Sequence, residues 1–234
     1  MIYDGTSAHA NGESSEDRQI GTGSYNDDKE DNAYIGYMYG TPNSSTYEET
    51  HANENESIIK AYVDSWYKTN IEDAEYSQYV ADVIYCNDRS LNSGNGYGTN
   101  ETYYSAYNRL NTNNSPVLTC TNKNDGFTVD DTINGNGALT YPVGLITVDE
   151  IVMGGGHCLT SNGSYYLYTG QFFWTISPYS VQNGNSRMWN LLSSGFPYLV
   201  VVGVTRGVRP VISLKSSVEF TGNGTMDSPF EVIN

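Results

Sequence analysis

Apolar residues crowd together in the last third of the chain, between Gly170 and Leu214. Within this segment, the run Tyr198–Val202 lacks the alternation of apolar and polar residues that a strand with one solvated face shows. Such a run is either a strand buried on both faces or an exposed apolar patch that contacts a partner. The pattern predicts strands at Tyr165–Tyr168, Phe172–Ile176, Arg187–Leu191, Pro197–Val204, Val208–Leu214, Val218–Phe220 and Phe230–Ile233.

The first two thirds of the chain contain apolar residues at helical spacing. Asn53 and Glu56 resemble a capping box, and the apolar residues behind them recur every three or four positions. Thr147 and Glu150 resemble a second box before a short apolar run that Gly154 ends. We therefore predict helices over residues 54–68, 73–83, 101–110 and 148–153, and strands at Tyr34–Tyr39 and Leu139–Ile146.

Residues 1–33 are rich in Gly, Ser, Asp and Glu and have almost no apolar periodicity. This composition predicts a flexible segment, or one that merely lies on the surface. Residues 34–234 are long enough for one elaborated domain. Because the predicted helices come first and the predicted strands follow, the fold class is α+β, with a mostly antiparallel sheet in the C-terminal half.

Charge is distributed unevenly along the chain. There are 27 acidic and 11 basic residues, which gives a net charge of -16; residues 1–75 hold 16 acids and 4 bases, whereas residues 151–234 hold 3 acids and 4 bases. This balance opposes binding to nucleic acid or to an anionic membrane surface. No apolar stretch approaches the roughly 20 residues that a membrane span needs, so we expect no direct membrane insertion by this chain.

The chain has few lysines, is rich in Asn, Ser, Thr and Gly, and contains 21 tyrosines. This composition is typical of exported bacterial surface proteins. The polar start does not have the pattern of a signal peptide. We therefore expect a protein that is extracellular or lies on the cell surface and is anchored by a segment absent from this chain.

The three cysteines leave two interpretations open. Cys86 and Cys120 both lie beside strand-like runs, so they either form a disulfide or remain buried thiols, with Cys158 free in both cases. Cys158 follows His157, but no further ligands at suitable spacing accompany this pair, so no metal is predicted. We expect no cofactor and no catalysis, because no Ser or Cys is paired with a recognisable base.

Several motifs resemble a known group of proteins. Trp174–Pro178, Trp189–Gly195 and Gly207–Leu214 resemble the end of a bacterial surface domain related to the C-type lectin fold, which also includes the variable proteins of diversity-generating retroelements. Gly36–Tyr67 and Ala138–Ile151 are similar to pilin-like proteins of gut Firmicutes. The resemblance covers residues 34–234. Its motifs are specific for this group of proteins and not for an activity.

In the variable proteins, fixed scaffold positions alternate with diversified ones that contact ligand. The resemblance implies scaffold roles for Trp174, Ser177, Gly195, Gly207, Val208, Arg209 and Pro210. The candidate ligand contacts that it implies are Phe172, Phe173, Ile176, Tyr179, Arg187, Met188, Leu192, Phe196, Tyr198, Leu199, Val200, Val201 and Thr205. Lectins of this fold bind sugar through calcium with the motifs EPN or QPD and WND, and none of these is intact here.

These features predict a non-enzymatic display domain that binds a protein or glycan ligand through residues 172–206. The alternative is a structural, pilin-like or surface-layer subunit that self-associates through the same apolar face. For Arg209, a buried structural contact is favoured over contact with ligand.

Overall fold

The computed structural model describes residues 1–10, 12–158, 160–225 and 227–233. The architecture is mixed α+β, with four short α-helices and mostly antiparallel strands among the described residues. The helices are α1 (Tyr47–Thr50), α2 (Ile58–Tyr67), α3 (Ser105–Asn111) and α4 (Val148–Met153). The strands are β1 (Thr22–Gly23), β2 (Met38–Tyr39), β3 (Asn55–Glu56), β4 (Val80–Ala81), β5 (Tyr85–Cys86), β6 (Leu91–Ser93), β7 (Thr102–Tyr104), β8 (Gly126–Phe127), β9 (Gly144–Leu145), β10 (Phe173–Gln182), β11 (Asn185–Leu191), β12 (Pro197–Val201), β13 (Arg206–Gly207), β14 (Pro210–Val211), β15 (Ser213–Leu214), β16 (Phe220–Thr221) and β17 (Glu231–Val232).

The main sheet has the strand order β1-β13-β10-β11-β12, and β7 links β6 to β10. The long strands β10 and β11 form a hairpin in which Gln182 pairs with Asn185. Asn183 and Gly184 connect them with φ values of 52° and 65°, because a two-residue turn that follows the twist of the strands requires positive φ at both positions. Strand β12 lies at the end of the path, so no further strand pairs with its outer edge in the described part of the chain.

Apolar clusters cover both faces of this sheet. Met188 packs in the large cluster that contains α2, whereas the next residue, Trp189, packs in a second cluster with α3 and α4. Because successive side chains of a strand point to opposite faces, the two clusters lie on opposite sides of the sheet. This arrangement explains why the apolar runs near the C-terminus lack alternation.

The N-terminal segment is part of the fold, which corrects the prediction of a flexible or surface-lying residue 1–33 region. Tyr25 is fully buried and packs edge to face on Trp174, with ring centroids 5.5 Å apart. Arg18 is buried as well, and its guanidinium donates to both carboxylate oxygens of Asp4. Asp4 also accepts from Arg209, so the predicted buried structural contact of Arg209 is confirmed. The low content of apolar residues predicted a loosely attached segment, but hydrogen bonds of a few polar side chains, such as Asp4 and Arg18, hold it on the fold.

Among the helices, the prediction over residues 148–153 is confirmed. The Thr147 hydroxyl accepts from the Glu150 backbone N–H at 3.1 Å, and the Glu150 carboxylate accepts from the Thr147 backbone N–H at 2.8 Å. The predicted start at Asn53 is wrong, since Glu56 belongs to β3 and the hydroxyl of Ser57 caps α2 instead.

Two other helix predictions need larger corrections. Residues 73–83 contain a 3-10 turn at Ser77–Tyr79 followed by β4, and no α-helix. Residues 101–110 begin as β7, and only the second part is helical, in α3. In both segments the apolar spacing is helical, but pairing with β15 or β10 overrides it.

The strand predictions hold best for the long central hairpin. Tyr165–Tyr168 is a turn, closed by the bond from the Tyr168 N–H to the Tyr165 carbonyl, and Leu139–Ile146 forms strand only at β9. The predicted strand Val208–Leu214 is broken into short pieces that pair with different partners. No helix of the described residues has both the length and the apolar character that crossing a bilayer demands.

Cys86 and Cys120 form a disulfide, so the structure contains the pairing that the sequence left open. Cys158 is free and half-buried. The disulfide ties β5 to an exposed segment that runs from the end of α3 to Asn122. This link closes a loop across 34 residues of sequence.

Candidate functional site

The sheet buries five of the predicted ligand contacts, which corrects their assignment. These five residues pack in the apolar clusters on either side of the sheet and cannot present a side chain to a ligand; they are Phe173, Ile176, Tyr179, Met188 and Val200. The physical reason is that β10 and β11 are central strands whose two faces are both covered.

The other eight candidates keep some exposure but do not form one surface. Phe172, Tyr198 and Thr205 are exposed, whereas Arg187, Leu192, Phe196, Leu199 and Val201 are half-buried. Leu199 packs against the cluster of α3 and α4, and Val201 and Arg187 lie directly opposite each other two positions further along the same strands. Because residues two apart on a strand share a face, these three belong to the side of the sheet that Trp189 occupies.

Four of the five remaining candidates lie at one end of the sheet, together with Arg206. We call the surface of Phe172, Leu192, Phe196, Tyr198 and Arg206 the edge patch. The Arg206 guanidinium lies 4.8 Å from the centroid of the Phe172 ring. Tyr198 and Phe196 pack edge to face with their centroids 6.0 Å apart, and the Leu192 N–H donates to the Phe196 carbonyl at 3.0 Å.

Asn190, which is buried beneath the edge patch, hydrogen-bonds to both Arg206 and Tyr198. This buried residue accepts a hydrogen bond from Arg206 Nε on Oδ1 at 3.2 Å. Its Nδ2 donates to the carbonyl of Tyr198, its partner across the β11–β12 ladder, at 2.6 Å. The side chain of a core residue thus links the guanidinium on β13 to the backbone of β12 at Tyr198.

The loop between β11 and β12 holds its shape through specific contacts. The Gly195 N–H donates to the Leu192 carbonyl at 2.9 Å, and the Tyr168 hydroxyl donates to the Ser193 carbonyl at 3.1 Å. Gly195 has a φ of 83°, and a Cβ added there would lie 1.9 Å from the Asn162 carbonyl oxygen. Only glycine fits this position, which restricts the backbone of the loop immediately before Phe196.

Arg206 is the part of the edge patch that the sequence analysis missed. Partial burial lowers the pKa of its guanidinium, which remains a cation at neutral pH. Nε donates to Asn190 and Nη1 to the Thr205 carbonyl, while Nη2 has no hydrogen-bond partner among the described residues. The available signal was a single arginine, between two predicted strands, in a segment with very little charge.

Two further surfaces lie outside the predicted face. An apolar groove of about 400 Å³ is lined by Leu118, Met153 and Tyr166, all of which are strongly exposed. It adjoins a cavity of about 170 Å³ beside the disulfide, where Arg109 forms ion pairs with Asp88 and Asp149. Sequence reasoning had no signal for the groove, because its lining comes from segments that lie far apart in the sequence.

Burial or a charged partner engages Cys158 and two of the three histidines. Burial raises the pKa of the Cys158 thiol to about 11, so the thiolate is scarce at neutral pH. His51 is fully buried, and His9 is engaged with Asp17 at 2.9 Å. Within the described ranges, the His, Cys, Asp and Glu side chains form no group of three or more that could hold a metal ion.

No family model, curated protein or solved structure matches this chain.

Proposed function

We propose that the protein is a non-enzymatic recognition domain, displayed outside the cell, that binds a protein or glycan ligand through the edge patch. The observation that carries the proposal is the contact series Phe172–Arg206–Asn190–Tyr198–Phe196. It arranges exposed aromatic rings and one cation on a stiff sheet. Rigid aromatic side chains provide contact area at a low cost in conformational entropy.

The proposal includes a C-type lectin-like arrangement of the chain. The mixed α+β class, the long β10–β11 hairpin and helices on both sides of one sheet are compatible with that fold. If this region is diversified by a retroelement, the variable positions are the exposed members of the 172–206 segment, led by Phe172, Phe196 and Tyr198. Variation at Phe173 or Met188 would damage the core and would be selected against.

A comparison of matched variants on a ligand array tests the recognition function. The unmodified protein is screened on printed glycans and on purified surface proteins, and every hit is repeated with Phe172→Ala and Tyr198→Ala. Tyr76→Ala is the control, because Tyr76 is also an exposed tyrosine but lies outside the edge patch. The proposal requires a hit that both patch variants lose and the control keeps, with unchanged melting temperatures. Hits that all three variants keep would place binding elsewhere.

A structural subunit is the second candidate, and the position of β12 favours it. Phe196 and Val202 hydrogen-bond on the β11 side, so by the alternation of an antiparallel pair the backbone N–H groups of Leu199 and Val201 point away from β11. No further strand pairs on that side in the described part of the chain. Such an edge is suited to pairing with a second copy. Sedimentation at increasing concentration separates the two functions, since an oligomer that Val201→Pro abolishes supports assembly and a monomer supports recognition.

A further inference from the structure

We propose that the ligand of the edge patch is a glycan whose terminal pyranose carries a carboxylate, with the carboxylate bound by Arg206. The inference rests on the recognition function proposed above and specifies its ligand class. Its basis is the combination of a cation with free donors, aromatic rings beside it and an uncharged polar rim.

The guanidinium of Arg206 is held in place while part of its donor capacity stays free. Its bonds to Asn190 and Thr205 and its packing on the Phe172 ring fix the plane of the group. Nη2 remains available, since no described residue accepts from it. A fixed guanidinium loses little freedom when it binds a planar carboxylate, and such charge-assisted bonds are about twice as strong as neutral ones.

The surroundings of Arg206 suit a sugar ring. Phe172 and Tyr198 expose about two fifths of their surface; the Phe172 ring packs on Arg206, and the Tyr198 carbonyl binds the same Asn190 side chain that holds Arg206. The apolar C–H face of a pyranose packs on such rings, while Thr205, Ser193 and Ser194 supply uncharged polar groups for its hydroxyls. Thr205 and Ser194 are exposed and Ser193 is half-exposed, so all three are within reach of solvent.

Local charge permits an anion despite the net charge of -16. The last 84 residues contain only three acids against four bases, and most of the acids belong to the first 75 residues. At physiological ionic strength, charges separated by more than about 8 Å are largely screened. Strand β1 brings part of the acidic segment beside Arg206, but no carboxylate of the described residues pairs with this guanidinium, so its charge remains available to an anion.

The size of the edge patch favours a glycan over a folded protein. It comprises five side chains, whereas a standard protein–protein interface uses about 20 to 30 residues on each side. A terminal sugar with one charged group matches five side chains and three neighbouring hydroxyl groups. An acidic peptide could bind Arg206 through a carboxylate, but it would not explain the hydroxyl groups of Thr205, Ser193 and Ser194 beside it.

Titration of the whole chain with small glycans tests the inference. The acidic probes are 3′-sialyllactose, trigalacturonic acid and a glucuronic acid-terminated trisaccharide, and the neutral probes are lactose and maltotriose. We expect at least one acidic probe to bind at least about tenfold more tightly than the neutral probes, and to weaken as salt increases. Arg206→Gln should weaken this binding about tenfold or more. Arg187→Gln is the matched control, because Arg187 lies on the other face of the sheet and should not affect affinity.

Each remaining outcome overturns one of the two proposals in a recognisable way. If Phe172→Ala and Tyr198→Ala abolish binding of a neutral glycan or a protein that Arg206→Gln still binds, recognition stands and the acidic sugar is excluded. Equal binding of a glutamate-rich peptide would replace the glycan by an acidic peptide. Absence of binding to every acidic probe overturns the inference, and an acidic probe that all patch variants bind normally overturns the site and the inference together.

Discussion

The carboxylate of Asp4 bonds the guanidinium of Arg209 at 2.6 Å, across 205 positions of the chain. The same carboxylate accepts two bonds of 2.9 Å from Arg18. Both arginines are buried, and burial lowers the pKa of Arg209 to about 10. One acidic residue near the N-terminus therefore compensates two cations that the fold has removed from water.

Asp4→Ala should destabilise the protein considerably. Removing one partner of a buried ion pair typically costs about 3–5 kcal/mol, and because Asp4 itself is partly exposed we expect about 2 kcal/mol. Urea unfolding followed by tryptophan fluorescence measures the change. The control is Glu16→Ala, which removes an exposed acid of the same segment and should leave the midpoint unchanged. Equal midpoints for both variants would show that the bonds of Asp4 to Arg18 and Arg209 do not stabilise the fold.

The disulfide should contribute about 3–4 kcal/mol of stability, because it closes a long loop in the unfolded chain. The double variant Cys86→Ser, Cys120→Ser should lower the melting temperature, and a reductant should lower that of the unmodified protein by a similar amount. Cys158→Ser leaves the disulfide intact and serves as the control. A reductant effect of equal size in the double variant would assign the loss to another process.

Parts of the fold that depend on local sequence patterns could be predicted from the sequence. A local signal succeeded at α4, where Thr147 and Glu150 form the predicted capping box. Long-range packing could not be predicted from the sequence. Tyr25 is a core residue only because Trp174, 149 positions later, folds against it.

The candidate site was predictable only in part for the same reason. The sequence located the segment 172–206, but hydrophobicity alone does not distinguish an exposed Phe172 from a buried Phe173. That distinction depends on which face α2, α3 and α4 cover, and on how Arg206 of β13 reaches Asn190 of β11. Strands β13 and β11, which β10 separates in the sheet, had to be placed before the edge patch could be recognised.

Stability should fall as the pH drops below about 6.5, through His51. Burial lowers the pKa of His51 well below its ordinary value, and the nearby Arg89 lowers it further. The unfolded chain therefore binds a proton that the folded chain resists, so the contribution of His51 is complete above the unfolded pKa of about 6.5 and is lost progressively below it.

His51→Gln isolates this effect from the carboxylates. In the folded protein, Nε2 of His51 lies 2.8 Å from the Gly96 carbonyl. The side-chain amide of the substituted glutamine can donate the same hydrogen bond but does not titrate. Urea midpoints measured between about pH 5 and 7.5 should decline towards low pH more steeply for the unmodified protein than for the variant. Parallel curves would exclude His51 as the source of the acid sensitivity.

Gly195→Ala should disturb the loop of the edge patch. The new Cβ would meet the Asn162 carbonyl at 1.9 Å, and the φ of 83° adds backbone strain. Gly184→Ala is the matched control, because its φ is also positive at 65° but its surroundings are open. We expect the control to lose about 1 kcal/mol from strain alone and Gly195→Ala to lose more, together with ligand affinity. Equal losses of stability for the two variants would mean that the Asn162 contact does not constrain the loop.

Tyr198→Ala and Met188→Ala separate the edge patch from the core beneath it. Tyr198 is 43% exposed, so truncation should change the unfolding free energy by less than about 1 kcal/mol. Met188 is fully buried two residues before Asn190 on the neighbouring strand, and its truncation should cost about 2–5 kcal/mol. Phe196→Ala should lie between the two, since Phe196 is half-buried against Tyr198. Urea denaturation gives this order directly. A loss at Tyr198 as large as that at Met188 would mean that the ring supports the fold, and the edge patch would then lose its principal aromatic contact for a ligand.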